Sequence, residues 1–159
     1  MMTLYDSFNM ILNEFGEILG AELVLKDGKC IFTVDGNIDV IIDYNEEADV
    51  VIAWSSVGIL PEDEYQAGRA RALFVLNELD APNGGFSVSM DPETRLVIVQ
   101  DHRPVELFDS ADRLAAWVEA LVDLVNLIRD TFEEKFPCSD MLLDEEDEED
   151  DEEEEGEEA

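Results

Sequence analysis

The chain has 159 residues, of which 42 are acidic and nine are basic, and its formal net charge is −33. About 15 of the acids lie beyond Phe136, so the first 136 residues are strongly acidic in their own right. Such a surface repels phosphate backbones and anionic lipid headgroups, which argues against nucleic acid and membranes as partners. Basic polypeptide fits this charge, although a requirement for solubility alone would also explain it.

Segment composition indicates one domain, residues 1–136, followed by an acidic tail, residues 137–159. About 136 residues is a common size for a domain with a single core. From Asp144 onward the sequence contains only Asp, Glu, one Gly and one Ala. We expect the tail to be disordered, because it has little apolar surface to offset its ordering entropy. No stretch approaches the roughly 20 apolar residues of a membrane span, and the N-terminus does not look like a signal peptide, so we expect a cytoplasmic protein.

The first predicted element is a helix over residues 3–20, where apolar residues recur at spacings of three and four. Thr3 is the expected N-cap, and Gly20 is expected at the C-terminal end. The hydrophobic period then changes to two, in the short runs Leu23–Leu25, Cys30–Val34, Ile38–Tyr44 and Val50–Trp54. This alternation predicts an antiparallel meander.

The second half of the domain is predicted to contain two helices with two strands between them. The second helix begins near Pro61, which suits a first helical turn, and runs to about Leu79. The strands are Phe86–Met90 and Leu96–Val99, and a long amphipathic helix runs from residue 109 or 110 to 136. The order α-βββ-α-ββ-α predicts an α+β fold, in which helices pack on an antiparallel sheet.

Side-chain alternation assigns the strand residues to two faces of that sheet. The face beneath the first and third helices is assigned Phe32, Val34, Ile38, Val40, Ile42, Tyr44, Val50, Ile52, Trp54, Phe86, Val88, Met90, Leu96 and Ile98. The opposite face is assigned polar residues mixed with Ile31, Ile41, Val51, Ala53, Val97 and Val99. A face this apolar is expected to be covered, either by the second helix or by a partner.

The second helix contains the contiguous apolar run Ala72–Leu76. The run extends around more than one side of the helix, so a core of this size is not expected to bury all of it. A homodimer interface would cover the remainder. Arg69 and Arg71 lie beside the run and are expected either to pair with acids across the interface or to be solvated at its rim.

The sequence contains no catalytic, cofactor-binding or metal-binding pattern. Its single histidine, His102, follows a strand and is expected to be an exposed loop residue. Glycine-rich phosphate loops, nucleophile elbows and zinc-protease motifs are absent. Cys30 and Cys138 have neither metal-ligand spacing nor the pattern of a disulfide framework. We therefore expect a protein that is not an enzyme and uses no cofactor.

Over about residues 8–134 the order and spacing of several short motifs are similar to those of a known protein family. Gly58-Ile59-Leu60-Pro61 leads into the second helix, which ends in Leu76-Asn77-Glu78-Leu79. Next come the turn and strand Asn83–Asp91, the strand Leu96–Val99 and the approach through Pro104 to the last helix. In this order and spacing the chain resembles the type III secretion chaperones of the Tir-chaperone type. The polar approach Arg103-Pro104-Val105 and the long acidic tail depart from the family pattern.

The resemblance implies a small cytoplasmic homodimer that holds a secreted effector protein extended before export, without ATP. It implies dimer contacts at Leu73, Phe74 and Leu76. It implies client contacts at Ile31, Ile41, Val51 and Ala53. A bacterial regulator of the YbjN type, with a similar fold but a folded partner, is the alternative.

Overall fold

Three helices and five strands follow one another in the order that the sequence predicts. The computed structural model describes residues 1–136; the tail, with its predicted disorder, and Cys138 lie outside the described residues. The elements are α1 Leu4–Leu19, β1 Lys29–Val34, β2 Ile38–Asn45, β3 Val50–Ile59, α2 Gln66–Val75, β4 Ser87–Met90, β5 Leu96–Pro104 and α3 Ala111–Lys135. A 3₁₀ turn, Val105–Leu107, joins β5 to α3. The predicted α+β fold is confirmed.

Capping residues set the ends of α1 as predicted. The Thr3 hydroxyl accepts a hydrogen bond from the Asp6 N–H (3.0 Å), and the Asp6 carboxylate accepts one from the Thr3 N–H. This reciprocal pair satisfies backbone donors that the first helical turn leaves unpaired. At the other end Gly20 has φ +75°, a left-handed conformation that costs glycine little, and it ends the helix.

The five strands form one antiparallel sheet in the order β1-β2-β3-β5-β4. β3 and β5 are longer than predicted, and their pairing is interrupted by a bulge between Ser56 and Gly58. The predicted strand Leu23–Leu25 is wrong. This segment is held by a side chain, because the Leu25 N–H donates to Oδ1 of Asn9 on α1 (2.8 Å).

The core lies between one face of the sheet and the helices α1 and α3. The sheet faces of β1 and β2 are as predicted, with Phe32, Val40 and Ile42 buried. For β3 and β5 the prediction is wrong. Val51, Ala53, Val57, Val97 and Val99 are at most 1% exposed and belong to the core, which places Val50, Ile52, Trp54, Leu96 and Ile98 on the outer side.

Strand pairing explains this correction. Both alternating sets of β3 are apolar, so hydrophobicity along that strand does not decide which set faces the helices. Ala53 pairs directly with Ile42, and residues that pair directly lie on the same face of a sheet. Since Ile42 is in the core, Ala53 must be there too. The bulkier Ile52 and Trp54 consequently point away from α3.

Helix α2 is shorter than predicted, spanning Gln66–Val75 rather than Pro61 to Leu79. Before it, the Tyr65 N–H donates to the Asp63 carboxylate in a turn (2.9 Å). After it, Nδ2 of Asn83 donates to the carbonyl of Leu76 (2.7 Å), which takes up a carbonyl at the helix end. The residues around α2 are therefore turns, stabilised by side chains.

Gly16, inside α1, is expected to resist a change that usually stabilises helices. A Cβ at this position would lie 2.6 Å from the Ala21 carbonyl oxygen and 3.0 Å from the Leu23 nitrogen. Backbone atoms cannot yield as a flexible side chain does. We expect Gly16→Ala to lower the free energy of unfolding by about 1–3 kcal/mol, although alanine has the better helix propensity by about 1 kcal/mol. Urea unfolding of this variant beside Glu17→Ala, at an exposed position, measures the effect; a stabilised Gly16→Ala would contradict the packing.

Candidate partner-binding surfaces

The sheet face opposite α1 and α3 carries a cluster of apolar side chains, which we term the outer patch: Ile31, Ile41, Ile52, Trp54 and Ile98. Ile31 pairs with Ile41 across β1 and β2, and Ile41 pairs with Trp54 across β2 and β3. Ile31 is 62% exposed, whereas Ile41 between its two neighbours is 8% exposed and lies outside the core cluster. Ile31, Ile41 and Trp54 thus form a continuous apolar strip across β1, β2 and β3.

Polar side chains surround the outer patch and fix its geometry. Nε1 of Trp54 donates to Oδ2 of Asp43 (3.1 Å), and Nζ of Lys29 lies 3.7 Å from the other oxygen of the same carboxylate. The indole therefore has its polar group satisfied and presents an apolar surface. His102 is exposed on this face, opposite Ile52, in a strand rather than in the predicted loop. A patch of this kind can hold apolar anchors of an extended segment.

The four predicted client-binding residues divide between the two faces. Ile31 and Ile41 lie together on the outer patch. Val51 and Ala53 are fully buried beneath the helices, where no partner can reach them. Their place on the outer side is taken by Ile52 and Trp54, which the sequence reasoning assigned to the core. The register between β2 and β3, which pairs Trp54 with Ile41 and Ala53 with Ile42, identifies the correct face of each residue.

The edge strand β1 borders a groove of about 420 Å³, formed with the preceding segment and lined by Glu22, Leu23, Val24, Lys26, Lys29, Cys30 and Ile31. Within residues 1–136 no strand pairs with the outer side of β1, although Lys26 and Lys29 exchange two backbone hydrogen bonds there. Burial raises the pKa of the Cys30 thiol, more than its hydrogen bond to the Val24 backbone lowers it. The thiol is buried and uncharged.

The three predicted dimer residues on α2 differ in exposure. Leu73 is 7% exposed and packs in the chain's own core, and Leu76 is partly buried against that core. Phe74 is 75% exposed, and the neighbouring Val75 is 51% exposed. Phe74 is therefore the one of the three that presents a large free apolar surface. Val75 presents a similar surface on the same helix but was not among the predicted dimer contacts.

Between α2 and β4 lies a hollow of about 340 Å³, lined by Leu60, Ala70, Leu73, Phe74, Asn77, Val88, Ser89 and Met90. Asn77 bridges the helix end and the strand. Its Nδ2 donates to the Val88 carbonyl (2.8 Å), and its Oδ1 accepts from the Val88 N–H (2.6 Å). The Asn77 side-chain amide thus forms the two hydrogen bonds with the Val88 backbone that a neighbouring strand would otherwise form.

Arg69 departs from its predicted place at an interface. Its side chain is fully buried, and its guanidinium forms two hydrogen bonds with the Asp63 carboxylate (2.6 and 3.1 Å). Nη2 also donates to the carbonyl of Phe136 (3.0 Å). The arginine therefore ties α2 to the end of α3 within one chain.

A second groove, which we term the α2–α3 groove, has a volume of about 550 Å³. It is lined by Gly68, Arg71, Ala72, Val75, Leu76, Pro82, Leu127, Ile128, Thr131, Phe132, Lys135 and Phe136. Arg71 and Lys135 are the charged residues in this lining. An apolar floor with a basic rim distinguishes this groove from the acidic surface elsewhere.

The described part of the chain shows no sign of a metal site: residues 1–136 contain no cluster of His, Cys, Asp or Glu that could hold an ion. None of the helices in that range is both long enough and apolar enough to cross a membrane. Three apolar surfaces of residues 1–136 are suited to a partner: the outer patch with its β1 edge, the exposed side of α2 and the α2–α3 groove.

Comparison with known families identifies the class of protein. The sequence matches the Tir chaperone protein (CesT) family over residues 10–129. Because this covers about three quarters of the chain, the chain belongs to that family of chaperones. The resemblance drawn from motif order is confirmed. No protein with a curated function matches the chain.

Solved structures of a type III secretion chaperone and of two further complexes share the fold. The Yersinia pestis type III secretion chaperone SycH, in complex with a stable fragment of YscM2, gives a TM-score of 0.59 at 20% identity, over 76% of this chain and 98% of the matched one. The ExsC–ExsE complex gives 0.66 at 15% identity, over 87% and 99%. The HopA1–SchA chaperone–effector complex gives 0.62 at 19% identity, over 77% and 93%. At these identities the likeness is one of fold.

Lysine substitutions at two adjacent residues of β3 test the observed sheet faces. Val51→Lys places a charge in the core, and we expect it to destabilise the protein by about 3 kcal/mol or more. Ile52→Lys faces solvent opposite Asp43, with which it can pair, so we expect a change of less than about 1 kcal/mol. Thermal and urea unfolding of both variants provide the measurement. Equal destabilisation, or the reverse order, would contradict the assignment.

Proposed function

We propose that this chain is a non-enzymatic cytoplasmic chaperone of type III secretion, which binds a secreted effector protein and keeps a segment of it extended. The observation that carries the proposal is the outer patch, an apolar strip on a sheet face that no helix of residues 1–136 covers, in a chain of this family. Two structures of related fold support it: SycH is a type III secretion chaperone in complex with a stable fragment of YscM2, and HopA1–SchA is a chaperone–effector complex.

The proposed binding mode combines strand addition with apolar anchoring. β1 is an edge strand, so an extended client can add its backbone to the outer side of β1. Alternate client side chains would then turn toward the outer patch, where Ile31 is the most exposed anchor. Ile41, Ile52 and Trp54 extend the apolar surface across the next two strands.

Charge favours a basic client. The part of the chain up to Phe136 holds about 27 acids and nine bases, which gives it a negative field over most of its surface. Such a field raises the association rate of basic segments and discourages self-association. Apolar contacts at the patch would supply most of the affinity, because exposed ion pairs contribute little.

The proposal includes a homodimer formed through α2. Phe74 exposes a large apolar area on a helix that has few contacts with the rest of residues 1–136. Phe74 lies beside the hollow between α2 and β4, which a side chain from a second copy could fill. Since Leu73 is already buried, its role would be to support the interface from beneath.

We expect Ile31→Ser to weaken client binding at least tenfold, about 1.4 kcal/mol, while leaving stability within about 0.5 kcal/mol. The residue is well exposed, and serine leaves the charge unchanged. The client is first identified by pull-down from the native host with mass spectrometry, and affinity is then measured by titration calorimetry.

Ile18→Ser is the matched control. Ile18 is the same residue type at nearly the same exposure, 64%, but lies on α1 in the helix layer. We expect it to bind the client with unchanged affinity. An equal loss of client affinity in both variants would contradict the assignment of the outer patch as the client site. A pull-down that yields no secreted protein would count against the chaperone function itself.

For the dimer, Phe74→Glu is the informative change. The wild-type chain is expected to sediment as a dimer at micromolar concentration, and the variant as a monomer, because a carboxylate in a dry interface costs several kcal/mol, roughly 3 or more. The residue is exposed in the single chain, so the circular-dichroism spectrum should not change. A wild-type monomer at these concentrations would disprove the dimer.

A further inference from the structure

The described residues end at a fixed point beside the α2–α3 groove. The Phe136 carbonyl accepts a hydrogen bond from the buried Arg69, and the Phe136 ring packs against Tyr65 and Phe132, with ring centroids 6.1 and 6.0 Å apart. Gly68 makes this approach possible, because a Cβ there would lie 2.7 Å from the Phe136 ring. The last described residue, Phe136, is therefore held at the groove.

The sequence beyond this point has a short apolar run in an otherwise polar and acidic segment. Pro137, Cys138, Ser139 and Asp140 are followed by Met141-Leu142-Leu143, and then by the acidic run from Asp144. Met141 is five positions beyond Phe136, a reach of up to about 17 Å when extended. The stretch of α2 that lines the groove, Gly68 to Leu76, is about 12 Å long. The apolar run can therefore reach the groove floor.

The rim charges complement this segment. Within residues 1–136, five of the nine basic side chains form ion pairs, and Arg129 donates to the carbonyls of Val57 and Asn37. Of the three that remain, Lys26, Arg71 and Lys135, two line the α2–α3 groove. Unpaired bases are unexpected in so acidic a chain. Arg71 and Lys135, at the rim of an apolar groove, are complementary to a segment in which acidic residues directly follow apolar ones.

We propose that Met141–Leu143 of the same chain occupies the α2–α3 groove, with the acids from Asp144 to Glu146 near Arg71 and Lys135. A basic client would be repelled by this rim, and a second copy is assigned to the Phe74 side of α2. The inference goes beyond the proposed function. It also differs from the expectation that the whole tail is disordered, because it places Met141–Leu143 in the groove. The acids beyond Glu146 are not part of the proposed contact.

A spin label in the tail of the full-length chain tests the contact by nuclear magnetic resonance. The label is attached to Glu146→Cys in a Cys138→Ser background, since Cys30 is buried. We expect selective broadening of the amide signals of Leu127, Thr131 and Lys135, and none at Thr33 on the β1 edge. Replacing Met141, Leu142 and Leu143 by serine should abolish the broadening. The matched control replaces Glu153, Glu154 and Glu155 by serine and should preserve it.

Three further samples decide between occupants. Isotope-labelled chain without the spin label is mixed with spin-labelled chain without isotopes, and we expect no selective broadening in this mixture. Selective broadening of the same signals there would show a neighbouring copy's tail and overturn the proposal. Arg71→Glu with Lys135→Glu should weaken the broadening. Phe74→Glu should retain it in the monomer, so a failure of the proposed dimer is separate from a failure here. Absence of broadening in the original chain, or its persistence in the triple-serine variant, would overturn the proposal.

Discussion

The packing of α3 across the middle of the sheet is the constraint on which the exposed surfaces depend. α3 lies against β3 and β5, where the residues beneath it include the small side chains of Ala53 and Ser55, both fully buried. Small residues let the helix approach closely. Because successive side chains point to opposite faces, the bulky Ile52 and Trp54 must then lie on the outer face. The apolar outer patch is thus a direct consequence of how closely the helix packs.

Helix α2 does not belong to that layer, and this explains its unusual exposure. It is tied to the end of α3 through Arg69 and to β4 through residues at its C-terminal end, while its own contacts with the sheet are few. One side chain of the apolar run, Leu73, enters the core, and Phe74 and Val75 remain free. The buried guanidinium has two acceptors but leaves Nε without a partner in the described part of the chain, so its contribution is to fix position rather than to add much stability.

Sequence reasoning identifies the elements whose signals are local. The capping residues Thr3 and Gly20 set α1, and the alternation in β1 and β2 predicts the correct faces because only one set of their side chains is strongly apolar. β3 lacks such a contrast: Val50, Ile52 and Trp54 compete with Val51 and Ala53. The choice between these sets depends on strand register, a long-range property, so half of the predicted client residues were placed on the wrong face. Family resemblance could not correct this, because it predicts order and spacing rather than side-chain direction.

The hydrogen bonds between Asn77 and Val88 make the two edges of the sheet unequal. Exposed strand edges are templates for pairing with other chains, and proteins commonly block them. Here the β4 edge is blocked at Val88 by a side chain, whereas residues 1–136 leave most of the β1 edge open. A strand that joins this sheet without displacing Asn77 must therefore join at β1, so within residues 1–136 the sheet can extend in one direction. Polymerisation through both edges of the sheet, which would require a free β4 edge, is disfavoured for the same reason.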